Sequence, residues 1–101
     1  MLHVIASIGV KPGKRAEFIE LFKTNVPNVL AEKGCIEYVP TVDADSGIKA
    51  QWQDETVVTI IEKWETLDAL HAHLEAPHMV AFKENTADLT EDVSLTVLKN
   101  A

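Results

Sequence analysis

The side chains with acid–base or nucleophilic chemistry cluster in a few short stretches. His71, His73 and His78 lie close together, Glu62 and Trp64 flank Lys63, and Cys35 precedes Tyr38 by three positions. His71 and His73 are two apart, so on a helix they face different directions and cannot share one metal. His73 and His78 are five apart across Pro77 and can meet only if the chain turns a corner there. No spacing typical of a zinc protease helix is present, and one cysteine cannot make a multi-cysteine metal site or an intrachain disulfide. The expectation is therefore no metal. Each histidine taken alone is as well explained as a surface or half-buried polar residue. His78 is the stronger candidate base, because the first turn of a helix disfavours an imidazolium and keeps the ring neutral.

Glu62 shares a strand face with Val58, Ile60 and Trp64, and a carboxylate in an apolar row is unusual. It is either a strand-end residue satisfied by a neighbour or a buried acid in a pocket wall. Trp64 is core or pocket wall. Tyr38 fits a packed aromatic with a satisfied hydroxyl, and Cys35 a small core residue, since no base adjoins it. No glycine-rich phosphate loop and no Gly-x-Ser-x-Gly elbow exist, so nucleotide-dependent and acyl-enzyme chemistry lack support.

These residues need elements to position them. Residues 2–10 alternate as a strand that Lys11-Pro12-Gly13 stops. Residues 14–33 carry a helical stripe of Ile19, Phe22, Val26, Val29 and Leu30, widened by Phe18. Pro27 inside it predicts a kink or break, and Lys33-Gly34 a left-handed end. Residues 35–43 read as a strand that Pro40 confines to a sheet edge or bulge. Residues 44–55 are a polar loop, and residues 56–65 form the strongest strand. Thr66 caps a helix whose buried stripe is Leu67, Leu70 and Leu74. Pro77 starts a further short helix to about Ala87, and residues 92–98 alternate as a last strand. The order is βαββαβ, an α+β, ferredoxin-like sandwich in one domain over residues 1–101. Both helices on one face leave the other bare, with Ile5, Ile61 and one parity of the last strand on it, and a second subunit would cover it.

The chain has 101 residues, 47% of them hydrophobic and 25% charged, with a net charge of −7. This is ordinary globular composition. An acidic chain with no basic stripe is a poor partner for nucleic acid or anionic membrane. No apolar run approaches a bilayer span and the amino terminus has no signal-peptide pattern, so the expected location is cytoplasmic.

Taken together, several stretches resemble a known family. They are Val4-Ile5-Ala6 with Pro12-Gly13; Val26-Pro27-Asn28-Val29-Leu30; Gly34-Cys35 with Tyr38; Glu62-Lys63-Trp64-Glu65; and Ala69-Leu70-His71-Ala72-His73-Leu74 running into Pro77-His78-Met79. The whole chain resembles the antibiotic-biosynthesis-monooxygenase superfamily, and within it the bacterial quinol monooxygenases. The resemblance implies a dimeric α+β barrel that oxidises a small hydroquinone or polyphenol with O₂ to a quinone and uses no cofactor. A deprotonated hydroquinone can itself hand an electron to O₂, so the protein need only bind the ring, take a proton and exclude water. On this reading His73 or His78 takes the proton and Glu62 orients or shares it. Trp64, Tyr38, Met79 and Phe82 wall the ring. Ile8 stands where haem-degrading relatives carry an asparagine, which disfavours haem breakdown. Two rivals stay open: a dimeric module that binds an aromatic metabolite without turnover, and an isomerase on the same scaffold.

Overall fold

The computed structural model describes all of residues 1–101. The elements run β1 (Leu2–Val10), α1 (Arg15–Leu30), β2 (Cys35–Thr41), β3 (Val57–Trp64), α2 (Leu67–Glu75), α3 (Pro77–Thr86) and β4 (Thr90–Lys99). The strands form one antiparallel sheet in the order β2-β3-β1-β4, as a ferredoxin-like α+β chain requires. β2 is an edge strand, which lets Pro40 sit in it without costing a ladder bond on the open side.

Period-two alternation sets the two faces of the sheet. Val4, Ala6, Ile8 and Val10 on β1 lie toward the helices and are buried, as are Val58, Ile60, Glu62 and Trp64 on β3. The register pairs Val4 with Glu62, Ala6 with Ile60, and Tyr38 on β2 with Glu62. Phe18, Phe22 and Val29 of α1, Leu70 of α2 and Met79 of α3 complete the core above this face.

The opposite face carries no helix. Ile5, Val39 and Leu98 are exposed there and Ile61 is half-buried. Val93, Leu95 and Val97 of β4 pair with Ile8, Ala6 and Val4 and so lie on the helix side, but they extend past the helices' cover and stay exposed.

Four local expectations need correction. Pro27 does not break α1 into two pieces, because the proline stands in the last turn, where one lost backbone bond costs little continuity. The helix ends at Leu30, not at residue 33. Gly34 does adopt a positive φ of 83°, but it serves the turn into β2, where a Cβ would lie 2.6 Å from that of Ala69. Leu30 is exposed and Asn25 is buried in its place. On α2 the buried residues are Leu70 and His73, while Leu67 is 53% exposed. Counting leucines misplaces the stripe because a histidine occupies one of its positions. The Thr66 cap forms as expected, its hydroxyl accepting from the Ala69 amide at 3.1 Å, and Pro77 opens α3.

Candidate active site

A cavity of about 170 Å³ lies between the helix-side face of the sheet and the three helices. Eleven of its 16 lining residues are hydrophobic, which makes it a site for an apolar body with a few polar contacts. An apolar cavity of about 150 Å³ holds benzene, so this one accommodates a single substituted ring. The aromatic wall is interlocked. Phe22 stacks on Tyr38 with centroids 5.2 Å apart and planes 14° apart, and Phe82 meets Phe18 and Phe22 edge-on at 5.8 and 5.6 Å. Ile8 and Met79 line the cavity too. Asn25 donates to the Met79 sulfur at 3.4 Å and accepts from Asn28 at 3.1 Å, which fixes the α1–α3 contact behind that wall.

Two of the buried residues that line the cavity carry an imidazole and a carboxyl. The first is His73, 2% exposed. Its Nδ1 lies 2.8 Å from Glu32 Oε2. A carboxylate only accepts, so Nδ1 carries the hydrogen and Nε2 keeps its lone pair. Nε2 makes no protein hydrogen bond, no buried polar side-chain atom is left unpartnered, and His73 lines the cavity; the lone pair therefore opens into it. Burial pushes the imidazolium down, against the raising effect of Glu32, so the ring is held neutral. Trp64 packs on it with centroids 4.7 Å apart, and Tyr38 meets it edge-on at 5.4 Å.

The second is Glu62, 5% exposed. Trp64 Nε1–H donates to its Oε1 at 2.9 Å. The other oxygen makes no hydrogen bond, and by the same reasoning it faces the cavity. Burial raises the carboxyl to about 7, against the lowering effect of the Trp64 bond. Tyr38 stands beside it, its phenol driven far above its ordinary value by burial and then by Glu62, so it stays a neutral donor.

The sequence-derived residues are not all brought to one place. Glu62, His73, Tyr38, Met79, Phe82 and Ile8 line the cavity. Trp64 does not: it is fully buried behind Glu62 and His73 and holds both. His78 does not line it either. It lies across Glu32, its Nε2 2.9 Å from the same Oε2, and borders a polar cleft with Asn25, Asn28 and Asn85. The corner at Pro77 does bring the two histidines together, but through a carboxylate. Glu62 does not orient a histidine, since Trp64 takes that bond. The orienting acid is Glu32, which sequence reasoning misses. It sits in the turn after α1, where neither periodicity nor a motif marks it. Lys83 and Thr86 of α3 also line the cavity unforeseen. Cys35 is half-buried and unreactive in character, its thiol pushed up to about 11 by burial and then by Glu32 and Glu62. His71 is exposed. No set of three or more His, Cys, Asp and Glu side chains is placed to ligate a metal ion, and no helix is long and apolar enough to cross a membrane.

A neutral histidine clamped by a carboxylate on an aromatic-walled cavity, carried on a ferredoxin-like sheet, is an arrangement able to take a proton from a small molecule. Residues 1–85 match the family described as antibiotic biosynthesis monooxygenase, and the chain belongs to that family. It is 37% identical over 101 residues to the Escherichia coli K12 protein named "Probable quinol monooxygenase YgiN", covering 98% of this chain and 97% of that one. The uncharacterised protein sll1783 of Synechocystis is 33% identical over 86 residues, 85% of this chain and 53% of its own. Among solved structures, PA3566 of Pseudomonas aeruginosa superposes with a TM-score of 0.81 at 25% identity, covering 99% of this chain and 93% of that one. Rv0793 of Mycobacterium tuberculosis gives 0.79 at 24% identity, covering 99% and 94%.

Proposed function

We propose that the protein is a monooxygenase acting on a one-ring hydroquinone or polyphenol, with O₂ as oxidant and the substrate itself as the source of electrons, without a cofactor. The observation that carries this reading is the His73 lone pair opening into an aromatic-walled cavity of about 170 Å³ with Glu32 behind it. A phenol hydroxyl placed there gives its proton to Nε2. The resulting hydroquinonate is electron-rich enough to react with O₂, and the apolar wall keeps water from the oxygenated intermediate. The name of the E. coli relative supports the same class. The protein works as a cytoplasmic homodimer whose bare sheet faces, bearing Ile5, Val39 and Leu98, cover each other; bare apolar faces of this kind call for a partner.

The test is O₂ uptake with a monocyclic hydroquinone, corrected for autoxidation in buffer, with the wild type and His73→Ala compared after circular dichroism confirms that both are folded. Protein-dependent uptake should fall by about 10²–10⁴-fold in the variant, the range a positioned base supplies. Equal uptake by both proteins removes His73 from the mechanism. Saturable ring binding without any uptake assigns the chain a binding role instead, and product formed without O₂ assigns an isomerase.

A further inference from the structure

The cavity holds a second buried group that proton abstraction by His73 does not use. Glu62 projects from the central strand β3, with one oxygen held by the Trp64 indole and the other open to the cavity that His73 also faces. Burying a carboxyl is costly, and perturbed acids of this kind gather at functional sites. We infer that Glu62 is the general acid of the oxygen-cleaving half of the reaction, delivering its proton to the departing oxygen so that O₂ ends as water and not as hydrogen peroxide. This rests on the monooxygenase reading above.

His73 Nε2 takes a phenolic proton, and the hydroquinonate gives two electrons to O₂ as a ring C–O bond forms. His73 returns its proton to the peroxide, giving a ring hydroperoxide. His73 then removes the proton from the carbon bearing the peroxide, and that electron pair becomes the new C=O. The O–O bond breaks with its pair on the outer oxygen, and this hydroxide takes the Glu62 proton and leaves as water. His73 finally passes its proton to the Glu62 carboxylate. Hydroquinone plus O₂ has become a hydroxylated quinone plus water. Without the acid, hydroxide is a poor leaving group. The same hydroperoxide then decays by expelling hydrogen peroxide, and the product is the plain quinone with no oxygen from O₂.

The surroundings suit an acid that must stay protonated until needed. The titratable groups around Glu62 are the Tyr38 phenol paired with it on β2, the nearby Cys35 thiol and Glu32 in the turn after α1; His73 on α2 and Lys83 on α3 line the same cavity. Burial and the Glu32 charge favour the neutral carboxyl, and Trp64 alone donates to it. The indole bond fixes which oxygen is left to carry the proton.

The experiment measures hydrogen peroxide released per O₂ consumed, together with ¹⁸O from ¹⁸O₂ in the quinone. It compares the wild type with Glu62→Gln, whose amide oxygen still accepts from Trp64. The wild type should incorporate ¹⁸O and release little peroxide. In Glu62→Gln the labelled product should fall at least tenfold, with peroxide approaching one per O₂. An unchanged ratio in the variant overturns the role of Glu62 while leaving the monooxygenase reading intact. No O₂ uptake by the wild type overturns both. A pH series on the wild type needs no variant: the peroxide fraction should climb between about pH 6 and 8 as the carboxyl ionises, and a flat fraction overturns the inference even if Glu62→Gln fails to fold.

Discussion

One glutamate bonds the buried histidine and another lines the cavity beside it, and the two are opposite in almost every respect. Glu32 sits in the turn after α1 and receives two imidazole N–H groups on a single oxygen, at 2.8 and 2.9 Å. Glu62 sits mid-sheet on β3, receives one indole N–H, and is buried enough to titrate at about 7. The first carboxylate is positioned to hold a neighbouring ring in one tautomer. The second is positioned to keep and give up a proton. The two share a side chain and a site, and the number of donors and the depth of burial separate their roles.

The largest test of this contrast is Glu32→Gln. An amide can offer His73 an N–H where the carboxylate offered only acceptance, so Nδ1 loses its claim to the hydrogen and Nε2 no longer holds a dependable lone pair. Turnover should lose most of the roughly 10²–10⁴-fold that a positioned base contributes. Long-range ¹H–¹⁵N spectra of the imidazoles should show the tautomer change directly. If His73 keeps its Nδ1–H in the variant, Glu32 is not what sets the tautomer.

Glu62→Gln should do the reverse in stability. The native carboxyl titrates at about 7 against 4.5 for an ordinary glutamate. Between those values the folded state binds more protons than the unfolded one, so its contribution to stability is present below about pH 4.5 and is lost as pH rises through about 7. The loss amounts to roughly 3 kcal/mol at about 1.36 kcal/mol per pH unit. The neutral amide escapes it, so the variant should gain on the wild type by up to about that amount near pH 8 and gain nothing from this source near pH 4.5. Urea midpoints at the two pH values measure it. His73 has the opposite sign, its depressed value adding stability that is lost as pH falls below 6.5, but it is present in both proteins and cancels in the difference. A gap independent of pH would mean that Glu62 is not buried as an acid.

The contrast also shows which half of the site the sequence could announce. Glu62 breaks an apolar alternation, and a strand's period of two tells which face it shares with Trp64, so the residue pattern offers two readings, a buried acid and a satisfied strand-end residue, and burial decides for the first. Its partner is not legible: the hydrogen bond that Glu62 makes runs to Trp64, two residues along the same face, and not to a histidine. Glu32 carries no signal, because a glutamate in a polar turn is what a solvated turn also contains. Only the closure of α1, β2 and α2 around Gly34 brings it under His73. Element order, the edge position of Pro40 and the Thr66 cap are readable for a like reason: each depends on neighbours in the chain. The stripe of α2 is misread because His73 stands where a leucine is sought. Trp64→Phe tests the Glu62 half alone. It removes the one donor that favours the ionised carboxyl, so the Glu62 titration, followed by its ¹³C carboxyl shift, should move further upward. A downward move would mean that the indole does not favour the ionised carboxyl.

His78→Ala should give the smallest effect. His78 donates to Glu32 from a half-exposed position on the far side from the cavity, so its removal forfeits one hydrogen bond to a carboxylate that keeps its bond to His73. A fully buried bond to a charged group is worth about 1.5–3 kcal/mol and an exposed one about 0.2–1 kcal/mol; at this half-exposed place about 1 kcal/mol is expected, a loss of about fivefold in kcat if all of it reaches the transition state. KM should hardly move, because His78 does not line the cavity. The His73 titration should shift upward, since Glu32 would then direct its whole charge at one ring. His78→Gln, which restores an N–H at that place, should recover most of the rate and return the His73 titration toward its original position. A deficit as large as that of His73→Ala would promote His78 from a clamp on Glu32 to the base itself.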